Sequence, residues 1–185
     1  MTRSVSSDDA LPRLAQGTRV VCCRSSYHSE LTELMRDSAL ETLLEAGLAE
    51  ANVFEVVVPG AYELPIVARR LAQRADIDAV LCFGLILKGE TEHDRHISNA
   101  VANGLTTVAL ETGKPVLFGV LTCNTLDQAQ ARARRRTEGG LDKGHEVAKA
   151  CAGVLHALRE ADGNLPRSQP ESGPQSTQRE IEVEK

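Results

Sequence analysis

Four short apolar runs, each followed by a segment with helical spacing, restrict this chain to one broad class of fold. The runs are Val20-Val21-Cys22-Cys23, then residues 53–58, 78–87 and 115–121. They lack the strict in–out alternation of a strand with one wet face, so they belong to strands covered on both sides. After the first three runs, apolar residues recur three and four positions apart. Leu31, Leu34, Met35, Leu43 and Ala46 form one such set and stop at Gly47; Leu64, Val67, Ala68 and Leu71 form the next. Ile97, Val101, Leu105 and Val108 form a third, inside a helical pattern over 93–110. Pro65 is tolerated in the first turn of its helix, because that turn has spare backbone N–H groups anyway. A fourth helix is predicted over 126–136, opened by Thr125 and Gln128 as a capping box, and a last one over 143–159 beyond Gly139-Gly140. Strand and helix repeated four times, with one extra helix, predict a doubly wound α/β fold. The expected form is a flavodoxin-like three-layer sandwich, a four-stranded parallel sheet flanked by helices.

Length and charge narrow the functions open to such a fold. A chain of 185 residues with 42% hydrophobic content builds one cored domain, expected over 18–161. Residues 1–17 show no periodicity and are expected to form a flexible arm. Residues 162–185, DGNLPRSQPESGPQSTQREIEVEK, have almost nothing to bury and are expected to be a disordered tail. No apolar run is long enough to span a membrane. The first seventeen residues lack the apolar stretch of a secretory signal, and Asp8 and Asp9 do not suit an organelle transit peptide, so a cytoplasmic location is expected. A net charge of −5 with 3% aromatic residues offers neither the basic stripe nor the stacking surface of a nucleic-acid binder. The five cysteines form no C-x-x-C pair and read as small buried hydrophobes in a reducing compartment.

Chemistry is concentrated in GLILKGETEH, residues 84–93. A strand that ends in a glycine turn and opens a helix presents unpaired backbone N–H groups, and such a mouth binds anions, phosphates above all. Gly89, Glu90 and Thr91 make the turn, and His93 follows in the first helical turn. A histidine beside a bound phosphate can move protons near neutral pH. There is no G-x-G-x-x-G after the first strand and no Walker loop, so the two commonest nucleotide readings lose support. Ligands of open parallel sheets bind at the carboxyl ends of the strands. Both tyrosines of the chain, Tyr27 and Tyr62, fall there, which suits a flat, stacked ligand. His93 and His96 share a helix face, but no third ligand of metal-site type lies near, and no metal is expected. His96 reads as a surface residue. Arg132 and Lys143 are the candidate distant cations for a phosphate site.

Taken together and in order, VPGAYELP (58–65), GLILKGETEH (84–93), PVLFGVLT (115–122), DQAQARA (127–133) and DKG (142–144) resemble the motifs of the lumazine synthase family. The resemblance covers residues 19–159. It implies condensation of 5-amino-6-(D-ribitylamino)uracil with L-3,4-dihydroxy-2-butanone 4-phosphate, with loss of phosphate and water, to 6,7-dimethyl-8-(D-ribityl)lumazine in riboflavin biosynthesis. It implies no metal and no organic cofactor. By the resemblance, Tyr27 stacks on the pyrimidine. Ala61, Tyr62 and Glu63 line the pyrimidine and ribityl site, and Glu63 bonds ribityl hydroxyls. Leu85, Ile86 and Leu87 meet the heterocycle through their backbone, Glu90 and Thr91 bind the phosphate, and His93 transfers protons. Phe118, Arg132 and Lys143 are implied to come from a neighbouring subunit. Arg132 would hold the phosphate and Lys143 would contact the pyrimidine. The family assembles as pentamers with sites between subunits, some members forming decamers or shells.

The chain departs from the usual family pattern at Lys88, Asp94 and Arg134, and its stretch from Arg132 to Lys143 is longer than in many bacterial members. That longer stretch makes a closed shell less expected than a pentamer. A catalytically impaired relative that binds flavin or lumazine is the alternative. The joint presence of Glu63, His93 and Arg132 favours an enzyme, because a pure binder has no need of the histidine.

Overall fold

The computed structural model describes residues 11–164. The elements in chain order are β1 (Val20–Ser25), α1 (Ser29–Glu45), β2 (Val53–Val58), α2 (Leu64–Ala72), β3 (Ala79–Leu87), α3 (His93–Thr112), β4 (Val116–Cys123), α4 (Leu126–Ala133) and α5 (Lys143–Asn164). The four strands form one parallel sheet in the order β2-β1-β3-β4. The expected α/β sandwich is therefore the fold observed.

Period-two geometry explains the unbroken apolar runs. In β3, Leu81, Phe83 and Leu85 point to one face and join the core built with α1, α4 and α5. Val80, Cys82 and Ile86 point to the other face and join the core built with α2 and α3. Both faces are covered, so both residue sets must be apolar. Only the two central strands need this throughout. The edge strands leave Phe54, Val57 and Phe118 partly exposed.

Arg24 lengthens β1 beyond the apolar Val20–Cys23 run. Its guanidinium is buried, yet it donates to Glu55 Oε1 at 2.7 Å and pairs with Glu33 at 2.9 Å. Pairing with carboxylates on β2 and α1 is what makes an arginine tolerable there. Glycines allow two further close approaches. A Cβ on Gly84 would stand 3.1 Å from Leu64 and 3.2 Å from Ala61, so the 3-10 turn Ala61–Glu63 can press onto β3. A Cβ on Gly144 would stand 2.1 Å from the carbonyl oxygen of Met35, so α5 can start directly against α1.

Four sequence expectations meet differences. Part of the expected N-terminal arm is docked: Leu14 is 8% exposed within the core and its N–H donates to Ala46 O at 2.9 Å. Its apolar side chain is too isolated in sequence to show a period. Residues 1–10 lie outside the described residues. The α4 helix stops at Ala133, not 136, because Arg134 turns extended (φ −61°, ψ 143°). The α5 helix continues through Asn164, into the segment read as tail, and residues 165–185 lie outside the described residues. At the start of α4 the Thr125 hydroxyl accepts from Gln128 N–H, while the Gln128 side chain reaches back to Asn124 N–H rather than to Thr125.

Candidate active site

The strand order turns outward in both directions from the β1–β3 pair. Helix α1, which follows β1, and helix α3, which follows β3, lie on opposite faces, so a crevice opens at the carboxyl ends of these strands. A cleft of about 820 Å³ lies there. Tyr27 enters it from the turn after β1. Gly60, Ala61, Tyr62 and Glu63 enter from the turn after β2. Leu85, Ile86 and Leu87 form its floor at the end of β3. Gly89, Thr91, His93, Asp94, His96, Ile97 and Ala100 close the side formed by α3.

Each wall has a local cause. Tyr27 is 49% exposed and Tyr62 62% exposed, so both rings stand available to a flat ligand instead of sealing the core. Tyr27 packs edge-on against the His28 ring, with centroids 4.5 Å apart and planes at 82°. His28 itself takes the left-handed conformation (φ 51°) at the start of α1, which turns the chain sharply after Tyr27. His28 Nδ1 also lies 3.1 Å from Glu30 Oε1.

The start of α3 leaves backbone donors open. Glu92 at the N-cap makes no side-chain cap, and the backbone N–H groups from Gly89 to Glu92 find no partner among the described residues. The Thr91 hydroxyl accepts from His93 N–H at 3.4 Å. Lys88 N–H is tied to Cys123 O at 2.9 Å, which anchors the turn to β4. Among the described residues, no lysine or arginine side chain lines this cleft.

The remaining predicted residues gather elsewhere. Phe118, Arg132 and Lys143 line a second cavity of about 250 Å³ with Val120, Leu121, Thr122, Leu141 and Glu146. The two linings share no residue. Lys143 Nζ pairs with Glu146 at 2.6 Å, and Arg132 donates to Gln128 O at 3.3 Å. The structure thus brings together Tyr27, Ala61, Tyr62, Glu63, Leu85, Ile86, Leu87, Thr91 and His93, and sets Phe118, Arg132 and Lys143 apart. Glu90 stands exposed on the turn beside the first group.

The sequence reading missed a wall of the cleft. His96, Ile97 and Ala100 follow His93 at three, four and seven positions, which is one helix face. That spacing was visible. His96 is exposed, as the sequence led us to expect; what the sequence did not show is that its helix face also lines a cleft.

The cysteines are all free and buried. Burial pushes the Cys22 and Cys151 thiols up to about 12, and Cys82 and Cys123 are raised as well. Thiols so raised do not ionise near neutral pH, and none of the five lines the cleft. No group of three or more His, Cys, Asp or Glu residues suited to a metal ion occurs among the described residues, and no helix there is long and apolar enough to cross a membrane.

An open parallel sheet with two exposed tyrosines, open backbone N–H groups and a histidine around a cleft at its switch point defines an α/β protein with a candidate small-molecule site. Comparison with known proteins gives the class a family. Residues 17–159 match the sequence model of the family described as 6,7-dimethyl-8-ribityllumazine synthase. A protein of that name from Thermus thermophilus is 43% identical over 119 residues, covering 64% of this chain and 76% of that protein. Its counterpart from Desulfotalea psychrophila is 40% identical over 148 residues, covering 78% and 94%. One from Rhodopirellula baltica is 40% identical over 139 residues, covering 74% and 86%. The chain belongs to the 6,7-dimethyl-8-ribityllumazine synthase family.

Proposed function

We propose that the two cavities of this chain are the two halves of one active site, completed when copies assemble. The chain is a transferase, a 6,7-dimethyl-8-ribityllumazine synthase acting in riboflavin biosynthesis. It condenses the amine of 5-amino-6-(D-ribitylamino)uracil with L-3,4-dihydroxy-2-butanone 4-phosphate. Phosphate and water leave, and the ring closes.

One observation carries the two-half reading. Among the described residues, the larger cleft has a histidine, two tyrosine rings and open backbone N–H groups but no lysine or arginine, while the smaller cavity has Arg132, Lys143 and Phe118 and no histidine. A phosphate dianion is held best by N–H groups together with a guanidinium, which can grip it with two parallel bonds. Neither cavity offers both. A second copy placing its Arg132 at the mouth of α3 supplies the missing charge.

The roles then follow from position. Tyr27 stacks on the pyrimidine, and Ala61, Tyr62 and the backbone of Leu85, Ile86 and Leu87 enclose it. The Glu63 carboxylate accepts from ribityl hydroxyls. Backbone N–H groups at Glu90 and the Thr91 hydroxyl hold the phosphate, with Arg132 of a neighbouring copy opposite. Lys143 and Phe118 of that copy meet the pyrimidine. His93, one turn from the phosphate, carries protons between the amine, the departing water and the departing phosphate. Much of the acceleration comes from holding two substrates in contact. This chemistry needs no metal or organic cofactor.

A homo-oligomer follows from this reading, because the two cavities have separate linings, and the pentamer implied by the family resemblance is the form proposed. The free buried cysteines fit a cytoplasmic setting. Purified protein given both substrates should produce fluorescent lumazine faster than the uncatalysed condensation. A rate no higher than in buffer would leave only a binding protein.

A further inference from the structure

We propose that Asp142 is a positioning residue for the reaction, a buried bracket that holds Arg132 and Lys143 in register with one another. The proposal rests on the reading that these two cations complete a neighbouring site.

Arg132 lies in the last turn of α4 and Lys143 is the first residue of α5. Between them the chain leaves α4 at Arg134, makes a 3-10 turn at Arg136–Glu138, and returns through Gly139 (φ 79°) and Gly140. The return closes on itself. Leu141 N–H donates to Ala131 O at 2.9 Å, and Asp142 N–H donates to Arg134 O at 3.0 Å. A Cβ on Gly140 would stand 2.0 Å from Arg134 O, so only glycine fits the closure.

Asp142 is where the closed loop meets the rest of the protein. It is 7% exposed and takes the left-handed conformation (φ 58°), which few residues besides glycine, asparagine and aspartate accept. Its Oδ1 accepts from Ser38 Oγ of α1 at 2.5 Å and from His145 N–H of α5 at 3.1 Å. Its Oδ2 accepts from Arg136 N–H in the loop at 3.3 Å. One carboxylate therefore ties α1, the loop and α5 together. His145, caught in the same cluster, lies with Nδ1 2.9 Å from Thr42 Oγ1, a second bond to α1. Lys143 is the next residue along the chain, and Arg132 is held through the closed loop. Without the carboxylate, the loop and the start of α5 lose their shared anchor, and the two cations can shift independently. A misplacement of about 1 Å at a group that positions substrate costs up to about a hundredfold in rate.

The test compares Asp142→Ala, Ser38→Ala, Lys143→Ala and Arg132→Ala in the assembled enzyme by steady-state kinetics with both substrates. Asp142→Ala should raise KM for each substrate about tenfold, at a temperature well below its unfolding midpoint. In the Asp142→Ala/Lys143→Ala double variant the pyrimidine KM should match that of Lys143→Ala alone, because the bracket then has nothing left to position at that end. Unchanged KM values in Asp142→Ala, with only its melting temperature lowered, would overturn the proposal. So would losses that simply multiply in the double variant. If Asp142→Ala does not assemble, Ser38→Ala removes a single bond to the bracket and should still raise both KM values about threefold; unchanged values there overturn the proposal equally. The site reading fails separately, through wild-type kinetics of both Lys143→Ala and Arg132→Ala.

Discussion

His93, to which the proposed proton transfer is assigned, is the first residue of α3, beside backbone N–H groups with no partner among the described residues. Replacing it with alanine should lower kcat about a hundredfold, the usual scale for loss of a general acid or base, with little change in the binding of the pyrimidine. Equal losses in kcat and in pyrimidine affinity would assign it to binding. Arg132→Ala should raise KM for the phosphate substrate about tenfold or more and that for the pyrimidine much less, since a charge-assisted pair to phosphate is what disappears. Equal effects on the two would place the phosphate elsewhere. Residues whose chemistry is local were readable in the chain. The turn at Gly89 to Thr91 and the helix start at His93 are adjacent in sequence, so their joint meaning survives without a structure. His96 was not readable in this way. Its identity and spacing were known, but whether its helix face meets a cleft depends on the 3-10 turn at Ala61–Glu63 pressing against β3, far away in sequence.

Among the elements, α1 and α5 are joined by the most exacting contact. Gly144→Ala should destabilise the fold by about 1–3 kcal/mol, because its methyl would meet the Met35 carbonyl and α5 would have to move off α1. A melting temperature equal to that of the wild type would contradict this packing. The same junction predicts a pH dependence. Burial, and then the charge of Arg136, depress His145 below its ordinary value of 6.5. The folded chain therefore keeps His145 neutral where the unfolded chain would take up a proton, and stability is full above that value and falls as pH drops below it. Burial raises Asp142, but the Ser38 bond and then the N–H groups of His145 and Arg136 outweigh it and hold the carboxyl below its ordinary 3.8. Its contribution is full above that value and is lost as pH falls beneath it, so both groups weaken the fold on acidification. Melting temperatures recorded from about pH 7 down to pH 5 should fall, and His145→Gln should flatten that part of the curve. An identical slope in the variant would remove His145 from the account. Strands were legible at this scale because burial on two faces writes itself as an unbroken apolar run. The end of α4 was not. The arginine-rich stretch after Ala133 carries good helix formers, and the turn there is imposed by the backbone closure at Gly140 and the Asp142 bracket.

For the whole molecule, the two-half site makes a prediction that no single-chain site can meet. Assayed with the phosphate substrate well below the wild-type KM, subunits carrying His93→Ala and subunits carrying Arg132→Ala should each keep about a tenth of the activity or less when alone. Co-assembled at equal amounts, they should recover activity at about a quarter of the sites, where a cleft with His93 faces a neighbour with Arg132. No recovery on mixing would mean that both residues serve the same copy. A mass measurement in solution should return a multiple of five chains. The alternation of apolar runs with helical spacings determined the class of fold, and the ordered motifs from VPGAYELP (58–65) to DKG (142–144) carried the resemblance to the family. These are local properties, set by which backbone conformations and burials each short segment allows. Only the tertiary structure decided that the predicted residues divide between two cavities, that the His96 face lines the larger cleft, that Leu14 is core, and that Asp142 bonds α1, α5 and the loop between Arg132 and Lys143 together. Each of these depends on contacts between segments distant in sequence, and no local pattern records which segments will meet.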